Sequence, residues 1–286
     1  MSRRESPYLA VALCSVLSLV PAAAQTGGDE PDEKWHDAAE FSFVATSGNS
    51  ETTTLGLKNK LWRKWSRNAF ELNAGAVRSE GTTNRRAEGT VDDFDVEEDS
   101  EKTAESYYLN GRYDRSITDR FFWFGTAGWD RNTFAGIDNR YAVAAGVGNI
   151  WDTPDTIKFR TDYALSYTDQ EDVVEVPGID NTFMGVRVSW NYWHKFGAVT
   201  EYVNEFIGDE NLEETTDWRL NMINSVTVAL SGRLALKVSL QWLYDHQPAF
   251  ETLPLFDGTG APTGVTVISE LDELDSIFTS SLVLKI

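Results

Sequence analysis

From about residue 39 to the C-terminus the chain alternates apolar and polar residues with a period of two, in segments of about ten residues bounded by turn signals. In 157–168, Ile157, Phe159, Tyr163, Leu165 and Tyr167 fall on one face, and Lys158, Arg160, Asp162, Ser166 and Thr168 on the other. In 234–245 the apolar face is Leu234, Leu236, Val238, Leu240, Trp242 and Tyr244, opposed by Lys237, Ser239, Gln241 and Asp245. Period two is the signature of a strand with two unlike faces. About 9–11 residues is also the length a tilted strand needs to cross a bilayer core. Twelve such segments can be placed, at 40–47, 52–62, 69–79, 103–114, 121–130, 139–149, 157–168, 182–193, 198–207, 218–230, 234–245 and 275–286. The run Phe121-Phe122-Trp123-Phe124 has no clean alternation, so the register of that strand stays open.

The connections sort by length. The joins at 63–68, 116–119, 151–155, 194–197 and 231–233 are short, whereas those at 80–102, 131–138, 169–181, 208–216 and 246–272 are longer. Only the first of the second group, at Gly48-Asn49-Ser50, is tight. Short turns at one end and long loops at the other imply an all-β, transmembrane, antiparallel up-and-down β-barrel of about twelve strands, with both termini in the periplasm. A sandwich or propeller would not sort its loops by end.

The N-terminus agrees with export. Arg3 and Arg4 precede an apolar run over 9–20, and Ala22-Ala23-Ala24 supplies small residues for a peptidase. The run is too short for a spanning helix of about 20 residues. Residues 1–24 are therefore expected to be a cleaved signal peptide, 25–38 a flexible periplasmic leader, and 39–286 the barrel of a Gram-negative outer membrane. The single cysteine, Cys14, falls in the signal, so the mature chain has no thiol and no disulfide. A net charge of −20 excludes nucleic acid as a partner, because the chain would repel a phosphate backbone. A mean hydropathy of −0.35 excludes a bundle of membrane helices, while ten Trp in so hydrophilic a chain suit a barrel with aromatic girdles.

The strand faces assign the wall. Phe70, Leu72, Tyr107, Leu109, Tyr113, Tyr163, Tyr167, Trp190, Tyr192, Trp242 and Tyr244 are expected to face lipid. Lys58, Lys60, Glu71, Arg112, Asp114, Arg160, Asp162, Arg187, Asp217, Arg219, Lys237 and Asp245 are expected to line the lumen. Opposite charges across a narrow barrel pair with one another, and a twelve-strand wall lies between filled small barrels and open porins, so a constricted or closed lumen is expected. The longer loops are acidic, as in the stretch 92–99, and the short turns are basic. The plain meaning of such charge is a solvated surface; the sharper one is that acidic outer loops gather divalent cations, those that bridge lipopolysaccharide.

Catalytic signals are poor. His36, His194 and His246 are far apart in sequence, so no paired-His metal site is visible, and no catalytic residue, metal or cofactor is expected. An outer-membrane phospholipase would need a serine beside a histidine on the outer wall. His246 is at the right end, with no serine motif near it. Gly146-Val147-Gly148 lies in a strand with no helix following, and is expected to relieve crowding or let the wall curve.

The segment 43–55, Phe-Val-Ala-Thr-Ser-Gly-Asn-Ser-Glu-Thr-Thr-Thr-Leu, resembles the opening of a bacterial family of unknown function whose members are described as salt-induced outer-membrane proteins. So do Arg131-Asn132-Thr133-Phe134-Ala135-Gly136-Ile137-Asp138, the stretch 234–248 and the closing 279–284. The resemblance implies an outer-membrane location and a role under osmotic or ionic stress, and carries no catalytic residues. The segment bearing Phe134, Gly136 and Asp138 is either a self-packed outer loop or a plug folding into the lumen mouth.

The expected function is a non-enzymatic envelope barrel, a narrow or closed channel or a structural barrel; the alternatives are a phospholipase-like enzyme acting on lipid, and a soluble periplasmic β-protein. Expected partners are outer-membrane lipid and lipopolysaccharide, the barrel-insertion machinery, and divalent cations at the acidic loops. The mature protein should leave the membrane only in detergent and show heat-modifiable migration on gels. A purified chain that dissolves as a monomer in plain buffer would exclude the barrel.

Overall fold

Backbone pairing follows the alternation. The computed structural model describes residues 33–46, 52–90, 93–176, 181–256 and 262–285. The barrel strands are β1 (Trp35–Thr46), β2 (Thr52–Trp65), β3 (Asn68–Thr90), β4 (Asp93–Ser116), β5 (Phe121–Asn132), β6 (Ile137–Trp151), β7 (Ile157–Asp172), β8 (Thr182–Phe196), β9 (Thr200–Asn211), β10 (Trp218–Ala229), β11 (Leu234–Asp245) and β14 (Leu274–Lys285). Each pairs antiparallel with its sequence neighbour up to β11, which pairs with β14, and β14 closes the ring on β1. The result is a closed twelve-strand antiparallel barrel. Between β11 and β14, β12 (Phe250–Phe256) and β13 (Pro262–Glu270) form a separate two-stranded hairpin.

Three boundaries differ from those the sequence suggests. The strand β1 begins at Trp35 and takes in the last residues of the stretch 25–38 that was expected to be leader. The join expected over 80–102 is mostly strand, because β3 and β4 pair with each other as far as Thr90 opposite Asp93. Their register sets Arg85 opposite Glu98 and Arg86 opposite Glu97, so a charged sequence that reads as loop has an ordered partner. Finally, the join expected over 246–272 contains the β12–β13 hairpin. The expected signal peptide 1–24 and the tight turn at Gly48-Asn49-Ser50 lie outside the described residues.

The barrel is inverted relative to a water-soluble protein. Leu165 and Phe278 on the outer face are 59% and 63% exposed, whereas Glu71 and Asp162 inside are 1% exposed. Such a wall is stable only where its outside meets hydrocarbon, since an apolar surface of this extent in water would be covered by association. Polar groups on the outer face are satisfied locally: Trp190 Nε1 donates to Asn204 (2.8 Å), Asn204 Nδ2 to Asn224 (3.0 Å) and Tyr202 to Asn224 (2.7 Å). Pairing of this kind is what lipid demands of any amide or hydroxyl it surrounds.

Aromatic rings edge both ends of the apolar band. At the short-turn end, Trp65, Tyr113 and Trp123 form a chain of ring contacts at 6.3 and 5.5 Å, and Trp151, Phe159 and Tyr192 a second at 6.4 Å each. At the long-loop end Trp218 stacks on Tyr244 (4.7 Å) and His246 (5.6 Å). Tyr141 and Trp151 stand on the outer face at opposite ends of β6. At ~3.3 Å per residue and a tilt of ~40°, their separation spans ~25 Å, the height of a hydrocarbon band.

The short turns are held by local hydrogen bonds. Ser66 takes a positive φ (47°) in the β2–β3 turn, and Gly197 (φ 66°) does so between β8 and β9. Thr118 Oγ1 accepts from Phe121 N (2.9 Å), and Ser231 Oγ from Leu234 N (3.1 Å), so each turn supplies acceptors for its own backbone.

Gly146 sits where β5, β6 and β7 come together, opposite Phe124 and Ala164. A Cβ there would collide with the Tyr163 carbonyl oxygen and lie 2.7 Å from Ala164 Cα, both backbone atoms that cannot step aside. Gly146→Val should destabilise the barrel by about 2 kcal/mol, as overpacking does elsewhere. The urea midpoint of protein folded into lipid vesicles measures this, and an unchanged midpoint would disprove the close approach.

Candidate functional site

All the residues expected in the lumen, Lys58, Lys60, Glu71, Arg112, Asp114, Arg160, Asp162, Arg187, Asp217, Arg219, Lys237 and Asp245, are placed among the inward-facing positions or at their edge, in step with the buried residues of each strand. They fall into three groups.

The first lies toward the short turns. Arg112 and Asp114 project from β4, Arg160 and Asp162 from β7, and the four form a ring of ion pairs. Arg112 Nη2 lies 2.8 Å from Asp114 and 3.1 Å from Asp162, and Arg160 reaches both carboxylates at 3.0 Å. Between these strands β5 points Phe122 and Phe124 inward, and each carries a guanidinium 4.0 Å above its ring, Arg160 on Phe122 and Arg112 on Phe124. Small residues make the room. A side chain at Gly148 would run into the Phe122 ring and the Asp162 carboxylate. Stacking fixes the planar guanidinium while its fork grips the carboxylates, a fit that lysine could not reproduce.

A second group lines the adjoining wall, where Glu71 on β3 lies opposite Arg112 on β4 in register. Lys60 Nζ pairs with Glu71 (3.0 Å), which also accepts from Asn73 (2.7 Å). Lys237 on β11 reaches across β14 to Glu40 on β1 at 2.9 Å, while Ser281 on β14 donates to the other Glu40 oxygen at 2.6 Å. These bonds fasten the seam where the first and last strands meet. Lys58 projects from the same side of β2 as Lys60.

The third group is a belt near the long-loop end. Arg140 forks onto Asp130 with two bonds of 3.0 Å, and Arg187 onto Asp209 with bonds of 2.6 and 3.1 Å. Arg219 contacts Asp217 (3.2 Å) and Asp245 (3.3 Å). Gln170 Oε1 accepts from both Arg140 (3.5 Å) and Arg219 (3.4 Å). Above this belt the mouth is crossed. The β5–β6 and β11–β14 connections lie six strands apart in either direction around the ring. Even so, Gly136 (φ 72°), which ends a single 3-10 turn over Thr133–Ala135, packs against Ala249 and Leu271 at the base of the β12–β13 hairpin. A Cβ on Gly136 would approach Ala249 Cβ to 2.7 Å, so both its backbone angle and its neighbours call for glycine. Beneath this crossing lies a cavity of about 480 Å³, lined by the belt and by Phe183, Ile207, Ala249 and Leu271.

Asp138 stands on the outer side, paired with Arg131, and Arg131 also contacts Glu105 at 3.3 Å. Of the three loop residues singled out in the sequence, therefore, Gly136 is at the crossing, Asp138 is at the outer rim, and the Phe134 side chain lies outside the described residues. Outside the wall, Gln247 and Thr216 donate to Glu214 and hold its carboxyl below its ordinary value, tying the β9–β10 loop to the end of β11.

Sequence reasoning missed Glu40, Asp130, Arg140, Gln170, Asp209 and the two inward phenylalanines. Most were legible in principle, since Asp209 falls two residues beyond Ile207 on the inner face of β9, and Arg140 two before Ala142 on that of β6. His246 contacts Trp218, Tyr244 and Glu273. Among the described residues no group of His, Cys, Asp or Glu is arranged to hold a metal ion.

Solved structures with similar backbones include the KdgM porin in complex with disordered oligogalacturonate (6% identity over 88% of this chain and 98% of that one, TM-score 0.42). Others are the anion-selective porin from Comamonas acidovorans (9%, 88% and 98%, TM-score 0.38) and the CymD monoaromatic hydrocarbon channel (9%, 89% and 89%, TM-score 0.41). Likeness at this level says nothing of cargo. No curated protein matches the chain significantly. A family model described as "Protein of unknown function, DUF481" matches residues 39–254. That match covers most of the barrel, and the chain belongs to the DUF481 family.

Proposed function

We propose that this protein is a non-enzymatic outer-membrane channel of narrow bore, held closed in the form described here. The observation that carries this reading is the contact of Gly136 with Ala249 and Leu271, which joins loops from opposite walls over the lumen. The stacked Arg112, Arg160, Phe122 and Phe124 narrow the other end. A purely structural barrel would have no need of a cavity kept beneath a crossing, whereas a channel that opens on demand would.

The N-terminal signal is cleaved after Ala24, the insertion machinery delivers the barrel, and lipopolysaccharide meets the outer rim. The acidic outer loops attract divalent cations, and the family resemblance supports a role under salt or osmotic stress.

Planar-bilayer recording tests the channel. The natural protein should show low conductance with rare openings. Replacing residues 249–271 by a short Gly-Ser linker should raise conductance severalfold. Large, steady currents from the natural protein would contradict closure, and silence from both would leave only a structural barrel. Arg160→Ala should widen the far end and cost about 3 kcal/mol of stability, because Asp114 and Asp162 would be left with one guanidinium between them. Its urea midpoint and single-channel current read the two effects separately.

A further inference from the structure

The belt beneath the crossing contains an arrangement that its own ion pairs do not explain. Two guanidiniums, Arg140 and Arg219, direct Nη1 atoms at one neutral oxygen, Gln170 Oε1, at 3.5 and 3.4 Å. Both contacts are longer than the usual range for an N–H···O bond. Each guanidinium is nonetheless held firmly from behind, Arg140 by the fork onto Asp130, and Arg219 by Asp217 and Asp245. Gln170 is itself aimed by its Nε2, which donates to Asp172 at 2.7 Å. Two fixed cationic donors converging on a point filled only by an amide oxygen make a seat that a carboxylate would fill better, with shorter and stronger bonds.

Two further properties of the cavity narrow the choice of ligand. Asp209 and Asp245 also line it, and the surrounding loops are acidic. A simple anion would be repelled on approach, whereas a solute that also carries an ammonium would be drawn in and would find carboxylates beside the guanidinium seat. Phe183, Ile207, Ala249 and Leu271 give the rest of the lining an apolar character. The volume, about 480 Å³, is within the ~300–1,000 Å³ of small-molecule sites.

We infer that this cavity binds a small zwitterion with an apolar side chain, of amino-acid to dipeptide size. Its carboxylate sits between Arg140 and Arg219, its ammonium faces Asp209 or Asp245, and its apolar part lies against Phe183 and Leu271. The proposal rests on the channel reading only for the route by which the solute arrives.

Titration calorimetry on the full mature barrel, folded in detergent micelles, tests it with L-leucyl-L-leucine as the probe. Saturable one-to-one binding is expected. The N-acetylated and C-amidated forms of the same dipeptide should each bind about tenfold or more weakly, since each loses one charged partner. Gln170→Glu places a built-in carboxylate between the two guanidiniums and should reduce binding of the dipeptide by a similar factor, while heat-modifiable migration shows that the barrel is folded. No saturable binding by the natural protein, equal binding of the blocked dipeptides, or undiminished binding by folded Gln170→Glu would each overturn the site. Because binding is read in micelles, binding without bilayer current would sink the channel alone, and current without binding would sink the site alone.

Discussion

Everything in this molecule depends on the backbone ladder closing on itself. In hydrocarbon an unpaired N–H or C=O finds no water, so a sheet with free edges cannot reside there. The closure is made by the first and last strands, with Ala38 opposite Lys285 and Phe41 opposite Leu282. Inside the barrel the Lys237–Glu40–Ser281 bridge spans the same seam from β11 across β14 to β1. Only once the ring is shut do the two faces of each strand acquire distinct meanings, one for lipid and one for the lumen.

Closure also explains why the interior is charged. The apolar residues are used on the outside, where lipid receives them, and the remaining faces must fill a narrow tube with polar groups. A buried charge without a partner is costly, and a pair survives only when its geometry is good and its other valences are met. Near the mouth the lumen answers with forks, Arg140 on Asp130 and Arg187 on Asp209, and elsewhere with single ion pairs such as Lys60 on Glu71. Where forks alone would leave guanidinium faces bare, Phe122 and Phe124 cover them. Among the described residues, filling and neutralisation of the lumen are achieved by the same side chains.

The long-loop end is built differently. It rests on small residues and backbone, with Gly136 against Ala249, and Val173 N donating to Gly136 O at 2.8 Å. Contacts of this sort bury little area and open at lower cost than the ion-paired tube beneath. An ion-paired lower lumen and a lightly fastened mouth, with a cavity between them, are what the proposed channel would require.

The wall was readable from the amino-acid sequence because strand alternation is local: Tyr163 and Asp162 declare opposite faces without reference to any other strand. Loop lengths sorted by end gave the up-and-down order for the same reason. The run Phe121–Phe124 could not be assigned, since four aromatics carry no alternation; in the fold Phe122 and Phe124 continue the inward face of Thr126 and Asp130, and Phe122 lies opposite Gly148, whose missing side chain leaves room for the ring. Pro254 and the turn-rich residues near it hid the β12–β13 hairpin, and the charge of 92–99 hid the extension of β4, whose order comes from its pairing with β3. The crossing of the mouth, the convergence of Arg140 and Arg219 on Gln170, and the cavity below were beyond any local pattern. They join residues far apart in sequence and on different strands, and the curvature and closure of the sheet alone bring those residues within reach.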